Sequence, residues 1–331
     1  MAFYLVEAWQ FYCGRLNKMA LKYAVFKGYS GEREPLPKKP NKFKENGKAL
    51  VSQVKGDDVQ KAVKLAVQRI GGFKKIIKPG CSVLLKPNLV FPKPNPCTTA
   101  PDFLSAVIKA CFDAGAGKVV VGERCAYWLK TRNVSAALGI DKVIEKAGGE
   151  LVFFDEGKWF SVNLGLPYIK RVTLPEAAWQ HDVLIHLPCL KTHRLARFTM
   201  SLKLTIGLIH PMEMPTMMFM GNLENKIAEI NTAVWPDLVI MDARKCFVTS
   251  GPDVGDIENP NLILASGDRV AIDAVGVNIL KSYKAKNRLE FNNSFDYPQI
   301  KHAAELGVGV KSEKGIKVIG VTSRMPITSS L

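Results

Sequence analysis

The densest group of chemically active side chains in the sequence lies between residues 191 and 210. It contains Lys191, Thr192, His193 and Lys203, directly after an apolar run that is typical of a buried strand. Histidine can move protons near neutral pH, and a lysine that is buried among other cations has a lowered pKa and becomes a base or nucleophile. We therefore predict that His193, Lys203 and Lys191 are catalytic. A fixed clamp for phosphate or carboxylate and a solvated basic helix face are the alternatives.

A second group of polar side chains follows the apolar run SVLLK, in the segment KPNLVFPKPNPCTTAPD. Lys86 and Asn88 come at the end of the run, and Thr98 and Thr99 come just before a helical pattern. A lysine, hydroxyl groups and a helix N-terminus together make an anion site. We predict that these four residues and Thr192 bind ligand. The alternative is a proline-stiffened loop with a capping threonine and a solvated lysine.

Two carboxylates, Glu123 and Asp242, also stand at predicted strand ends, and with His193 they form a candidate site for a divalent metal ion. The turn-rich segment that follows Asp242 contains Gly251 and Gly255, whose backbone amides are candidate ligand contacts. The seven cysteines show no C-x-x-C spacing, so the sequence does not support an iron–sulfur cluster.

These side chains must be positioned by short apolar strands that alternate with helical patterns. Strands are predicted at residues 24–29, 82–86, 118–123, 150–155, 182–188, 237–243, 262–266 and 317–321. Helices are predicted after Asp58, from Pro101, over 133–149, over 199–209 and after Asp268. The runs are continuously apolar, which is typical of parallel strands that are covered on both faces. We predict an α/β fold, with a mostly parallel, doubly wound sheet flanked by helices. An irregular stretch at about 156–236, rich in Met, Pro and aromatic residues, is expected to be a cap or insertion.

The chain of 331 residues is expected to hold an N-terminal extension with a basic Pro/Lys-rich arm, 1–50, and one α/β domain, 51–331. Residues 1–18 are either an appended helix or a start-site artefact. No apolar stretch is long enough to span a membrane, and the N-terminus is a poor signal peptide. We therefore expect a cytoplasmic protein.

The net charge of +16, from 46 basic and 30 acidic residues, suggests an anionic partner. A small anionic molecule is the first candidate, and a nucleic acid or an acidic membrane surface is another. The sequence has little of the aromatic and basic interleaving that favours single-stranded nucleic acid. A solvated basic surface without a specific partner remains the alternative.

The motifs LLKPNLV, VVVGE, DVLIHLPCLKTH, TMSLKLTIGLI, VIMDA and GDRVAIDAVG resemble, in this order, the family called domain of unknown function 362. The resemblance covers about residues 80–282 and implies a single α/β domain of catalytic type. Members often carry a ferredoxin-like iron–sulfur segment, which this chain lacks, and the family's L-K-N reads Leu202-Lys203-Leu204 here. The interval from His193 to Lys203 is also similar to that in lactate racemases with a nickel-pincer cofactor, although their flanking Ser-Gly-Gly is absent.

Taken together, these patterns favour an enzyme that acts on a small anionic substrate or cofactor, by redox or isomerase chemistry. Two alternatives stay open. The first is a basic protein that binds nucleic acid or the ribosome, and the second is a partner in the maturation of a metal centre or cofactor.

Overall fold

A computed structural model describes residues 28–320 of the chain. The strands are β1 Tyr29–Arg33, β2 Lys44–Glu45, β3 Lys48–Lys55, β4 Ser82–Pro87, β5 Lys118–Glu123, β6 Glu150–Phe153, β7 Trp159–Asn163, β8 Arg171–Pro175, β9 Val183–Leu187, β10 Cys189–His193, β11 Arg197–Thr199, β12 Leu238–Phe247, β13 Ile257–Glu258, β14 Leu262–Ser266 and β15 Ile316–Gly320. The helices are α1 Val59–Arg69, α2 Pro101–Asp113, α3 Thr131–Ala137, α4 Ile140–Lys146, α5 Ser201–Leu204, α6 Met214–Phe219, α7 Leu223–Ile230, α8 Arg269–Ser282 and α9 Pro298–Glu305.

The main sheet has the strand order β15, β3, β14, β12, β9, β4, β5, β6. Along this order, neighbouring strands are parallel except at β14, which is antiparallel to both β3 and β12. Four further strands join the same sheet: β10 pairs with β11 and β12, β13 with β12, and β2 with β3. The predicted α/β fold with a mostly parallel, helix-flanked sheet is therefore confirmed. A smaller sheet of β1, β7 and β8 forms separately.

Apolar residues on both faces of the strands explain why the runs are continuous. In β4, Val83 and Leu85 pack into one core, with helices α1 and α2, while Leu84 packs into the other. Alternate side chains of a strand point to opposite faces, so a strand buried on both faces has to be apolar throughout.

The predicted helix starts at Asp58 and Asp268 coincide with the N-caps of α1 and α8. The Asp58 carboxylate accepts a hydrogen bond from the amide of Lys61 at 3.1 Å, and that of Asp268 accepts one from Ala271 at 2.9 Å. These bonds satisfy amides that have no partner within the helix.

Local structure departs from expectation in three places. β3 crosses the expected boundary between residues 50 and 51 and lies inside the main sheet. The helical pattern of 133–149 breaks at Gly139, which adopts a left-handed φ of +63°, into α3 and α4. The helix expected over 199–209 is the single turn α5, followed by a 3₁₀ turn at Thr205–Leu208.

The stretch 156–236 contributes to two layers. Its β7 and β8 form the smaller sheet with β1, whereas β9 lies between β4 and β12 in the main sheet. The expected extension at 1–18 and most of the strand expected at 24–29 lie outside the described residues. None of the helices within residues 28–320 is long and apolar enough to cross a bilayer.

Candidate functional site

A cavity of about 370 Å³ opens where β4, β5 and β10 end. Five of the residues singled out from the sequence line it together: Lys86, Asn88, Glu123, His193 and Lys203. The parallel strands explain this convergence, because their carboxyl ends lie at one edge of the sheet, where ligands of open α/β sheets bind.

An ion pair forms the floor of the cavity. The Nζ atom of Lys86 lies 2.5 Å from Oε2 of Glu123, and both side chains are buried. Oε2 also accepts the amide of Leu89 at 3.2 Å, and Oε1 accepts the amide of Arg124 at 2.7 Å. Burial lowers the pKa of Lys86 and raises that of Glu123, while their mutual attraction opposes both shifts. Both oxygens of Glu123 are therefore already engaged.

Gly207 allows the backbone to come close to this pair. A Cβ atom at Gly207 would lie 2.6 Å from Nζ of Lys86 and 2.8 Å from Oε1 of Glu123. Only glycine fits this approach without moving the ion pair. The sequence analysis did not single out Gly207, although it follows Lys203 by four residues and helical neighbours at that spacing share a face.

Lys203 lies on a short helix whose first two residues are anchored by side chains from other helices. The carboxylate of Asp273 accepts the amides of Ser201 at 2.8 Å and Leu202 at 2.9 Å, and Nδ2 of Asn231 donates to the carbonyl of Leu202 at 2.9 Å. Among the described residues, the side chain of Lys203 makes no hydrogen bond or ion pair. Burial, and then the charge of Lys191, lower the pKa of Lys203 to about 7.

His193 is held as a neutral hydrogen-bond donor. Its Nδ1 accepts the amides of Leu195 and Ala196, each at 3.1 Å. Burial, followed by the charges of Lys203 and Lys191, keeps the pKa of His193 well below its ordinary value. A neutral ring that accepts at Nδ1 carries its proton on Nε2. His193 can therefore donate a hydrogen bond to a ligand through Nε2. The expected role in moving a proton would require Nδ1 to accept that proton, and Nδ1 already accepts two amides.

Further donors around the cavity have no partner among the described residues. Nδ2 of Asn88, Nε of Arg124 and Oγ1 of Thr199 are all buried without a hydrogen bond. The other guanidinium nitrogens of Arg124 donate to the carbonyls of Cys125 at 2.8 Å and Ile206 at 3.1 Å. Buried polar atoms normally have partners, and these three residues line the cavity, so they are candidates to bind acceptor groups of a ligand. The candidate residues named from the sequence did not include Arg124 and Thr199.

The walls and mouth of the cavity are mostly apolar. Phe91, Tyr127, Met214 and Met218 contribute to the walls. An apolar rim surrounds the mouth and consists of Trp128, Leu195 and Phe219, which are 59%, 42% and 58% exposed. A ligand that fits this cavity therefore has an apolar portion as well as acceptor groups.

Lys191 and the three threonines named from the sequence lie outside the cavity lining and hold loops together. The buried ammonium of Lys191 donates to the carbonyl of Cys97. The hydroxyl of Thr192 donates to the carbonyl of Thr249 at 2.9 Å, and that of Thr98 to Phe91 at 2.9 Å. The hydroxyl of Thr99 accepts the amide of Asn88 at 2.8 Å and donates to the carbonyl of Leu187 at 3.2 Å.

Gly251 and Gly255 likewise lie where another segment of backbone comes close. A Cβ atom at Gly251 would lie 1.9 Å from the carbonyl oxygen of Thr192, and one at Gly255 would lie 2.1 Å from that of Thr249. Both residues also have positive φ values. These contacts with neighbouring backbone explain why both positions are glycine, and neither residue lines the cavity.

Asp242 is buried away from the cavity and is paired with a basic side chain. Nε and Nη2 of Arg244 lie 3.0 and 2.9 Å from its two oxygens, and Asn95 donates to it at 3.3 Å. Residues i and i+2 of a strand share a face, so the spacing of Asp242 and Arg244 was a signal for this pair. The expected grouping of Glu123, Asp242 and His193 around a metal ion is not formed. No group of three or more His, Cys, Asp or Glu side chains within 28–320 is arranged to hold a metal ion.

Comparison with known proteins agrees with the family resemblance of the sequence. A model of the family described as domain of unknown function (DUF362) matches residues 83–278. The protein of Synechocystis sp. named thylakoid-associated protein sll1697 is 30% identical over 228 residues, which are 66% of this chain and 69% of that protein. The family match spans β4 to α8, the elements that carry the cavity. The chain therefore belongs to the DUF362 family.

Proposed function

We propose that the chain is an enzyme that binds a small anionic substrate with an apolar portion. The observation that carries the proposal is the set of unpartnered donors around Lys203: Asn88, Arg124, Thr199 and His193. The carboxylate of Glu123 is already neutralised by Lys86, so the described lining contains more free donors than free acceptors. Carboxylate and phosphate groups are the ligands that such a lining favours.

In this proposal the residues have separate roles. Lys203 is the base or nucleophile, because an amine that is desolvated in the cavity and has no partner is partly neutral near pH 7. His193 donates from Nε2 to an oxygen on which negative charge develops. The pair of Lys86 and Glu123 is a fixed polar floor. Proton transfer at a carbon beside a carboxylate or carbonyl would use these groups and suits the expected isomerase or redox chemistry.

Binding of small anions tests the proposal directly. Thermal shift and calorimetry with a panel of carboxylates, oxo acids and phosphate esters should find at least one that binds the intact protein. The variant Lys203→Met should lose that binding, whereas Lys130→Met, which removes an exposed lysine, should retain it. Equal binding by wild type and Lys203→Met, or no binding by any member of the panel, would contradict the proposal.

A second candidate function is attachment to a membrane surface, and the apolar rim favours it. Trp128 and Phe219 are large and exposed. Exposed basic residues also occur at the rim: Lys130 follows Trp128 by two positions, and the side chain of Arg288 donates to the carbonyl of Leu195 at 3.1 Å. Aromatic side chains flanked by basic ones bind anionic bilayer surfaces. The name of the Synechocystis relative associates that protein with thylakoids. In this reading the chain would work at a membrane surface, and the expected cytoplasmic location remains a prediction beside it.

Flotation with lipid vesicles tests whether the protein attaches to a membrane surface. The protein should float with vesicles that contain phosphatidylglycerol, and the double variant Trp128→Ser/Phe219→Ser should float less. Leu65→Ser, which changes a partly exposed leucine on α1, is the control. Wild-type protein that stays unbound at low salt would exclude this second function.

A further inference from the structure

The two lysines that line the cavity differ in their surroundings. The ammonium of Lys86 contacts Glu123 at 2.5 Å and the carbonyl of Pro87 at 3.0 Å, so it is held in place. Lys203 makes no such contact within the described residues, yet its backbone is anchored through Asp273 and Asn231. Lys86 is thus held in place with its charge neutralised, whereas Lys203 presents an amine without a partner at a fixed position.

We propose that Lys203 forms an imine with the carbonyl carbon of a substrate that also carries a carboxylate or phosphate group. This inference rests on the proposed function and names its substrate class: acidic aldehydes and oxo acids. The unpartnered donors of Asn88, Arg124 and Thr199 would hold the acidic group, and the amine would face the carbonyl group.

The reaction balances without any further reactant. The ammonium of Lys203 loses a proton to solvent, and the neutral amine adds to the carbonyl carbon, whose oxygen receives the hydrogen bond from Nε2 of His193. The carbon–oxygen bond of the adduct then breaks as two protons, one from the nitrogen and one from solvent, leave with the oxygen as water. In total, one ammonium and one carbonyl give one protonated imine and one water.

The surroundings of Lys203 favour this chemistry over simple ion pairing. Burial lowers the pKa of Lys203 to about 7, so roughly half of the amine is neutral at pH 7. An exposed lysine, with a pKa near 10.4, has on the order of a thousandfold less neutral amine at that pH. The apolar walls from Phe91, Met214 and Met218 restrict water beside the imine, which slows its hydrolysis.

Reductive trapping tests the inference with a defined probe. The full-length protein is incubated at pH 7 with 4-carboxybenzaldehyde and cyanoborohydride, which converts an imine to a stable amine, and the modified lysine is identified by peptide mass mapping. We expect Lys203 to be modified at least about a hundredfold faster than the exposed Lys130, because of its larger neutral fraction. The trapping rate should rise with pH through about 7 as the amine loses its proton.

Variants of the protein, and an anion that has no aldehyde or ketone group, distinguish imine formation from anion binding alone. Lys203→Arg should abolish the adduct, Lys130→Arg should not, and melting curves show whether each is folded. Should Lys203→Arg not fold, the site of modification in the wild type decides. Binding of benzoate or another panel anion without an adduct at Lys203 would overturn the imine and leave the proposed function intact. No adduct and no binding by any panel anion would overturn both, and equal rates at Lys203 and Lys130 would overturn the imine.

Discussion

At the scale of single residues, Lys86 and Glu123 form an ion pair in the site, in which the two charges neutralise each other. Both side chains are buried, and each has the other as its main partner. Glu123→Gln should lower the free energy of unfolding by about 3–5 kcal/mol, because it leaves the Lys86 ammonium buried without its counter-charge. Urea unfolding at pH 7 measures the loss. The double variant Lys86→Met/Glu123→Leu should lose less than the single one, and a single-variant loss below about 1 kcal/mol would contradict this description.

Lys203 should make stability depend on pH. Its pKa is about 7 in the folded protein and near 10.5 in the unfolded chain, so between these values the unfolded chain binds more protons and stability rises with pH. Below pH 7 both states are protonated, and the full cost of burying the charge is present. Lys203→Met removes that cost, so it should raise the melting temperature more at pH 6 than at pH 10. An equal increase at both pH values would mean that Lys203 is not desolvated.

At the scale of elements, α5 depends on a carboxylate from a distant helix. Asp273 of α8 accepts the first two amides of this single turn, which has too few residues to be stable alone. Asp273→Ala should lower the free energy of unfolding by about 1–3 kcal/mol, because buried amides lose their partner. It should also weaken anion binding, because Lys203 would no longer be held. Asp58→Ala removes the cap of α1 and should lower stability without affecting binding, and calorimetry on both variants makes the comparison.

The elements that sequence patterns predicted best are those whose burial is uniform. The interiors of β4, β5 and β14 are continuous apolar runs, and Asp58, Pro101 and Asp268 marked helix starts. β3 was missed because Ser52 and Gln53 interrupt its apolar run, although both are buried in the sheet. Ser52 is tolerated there because its hydroxyl donates to the carbonyl of Ala66 at 2.6 Å, a contact between elements that no local pattern contains.

At the scale of the whole molecule, the charge of +16 is compatible with both small anions and nucleic acid. Binding of a small anion and binding of a nucleic acid differ in how strongly the affinity depends on salt. A protein that contacts six to ten phosphates loses about 10³–10⁵ in affinity between 50 and 200 mM salt, whereas one anion in a cavity displaces few counterions. We expect any mobility shift of RNA to disappear by about 200 mM salt while a panel anion still binds. A nucleic-acid complex that survives at that salt would instead favour the nucleic-acid alternative.

The sequence by itself determined the α/β class, the family, and the set of strand ends at which polar side chains occur. It could do so because burial on two faces and helix capping leave local patterns in the residues. The tertiary structure alone decided which of those side chains share a cavity. Lys86, Asn88, Glu123, His193 and Lys203 meet there, while Asp242 is paired with Arg244 and Lys191 is bound to the carbonyl of Cys97. The contact of Asp273 with the start of α5 is set by packing between distant segments, and spacing along the chain carries no record of it.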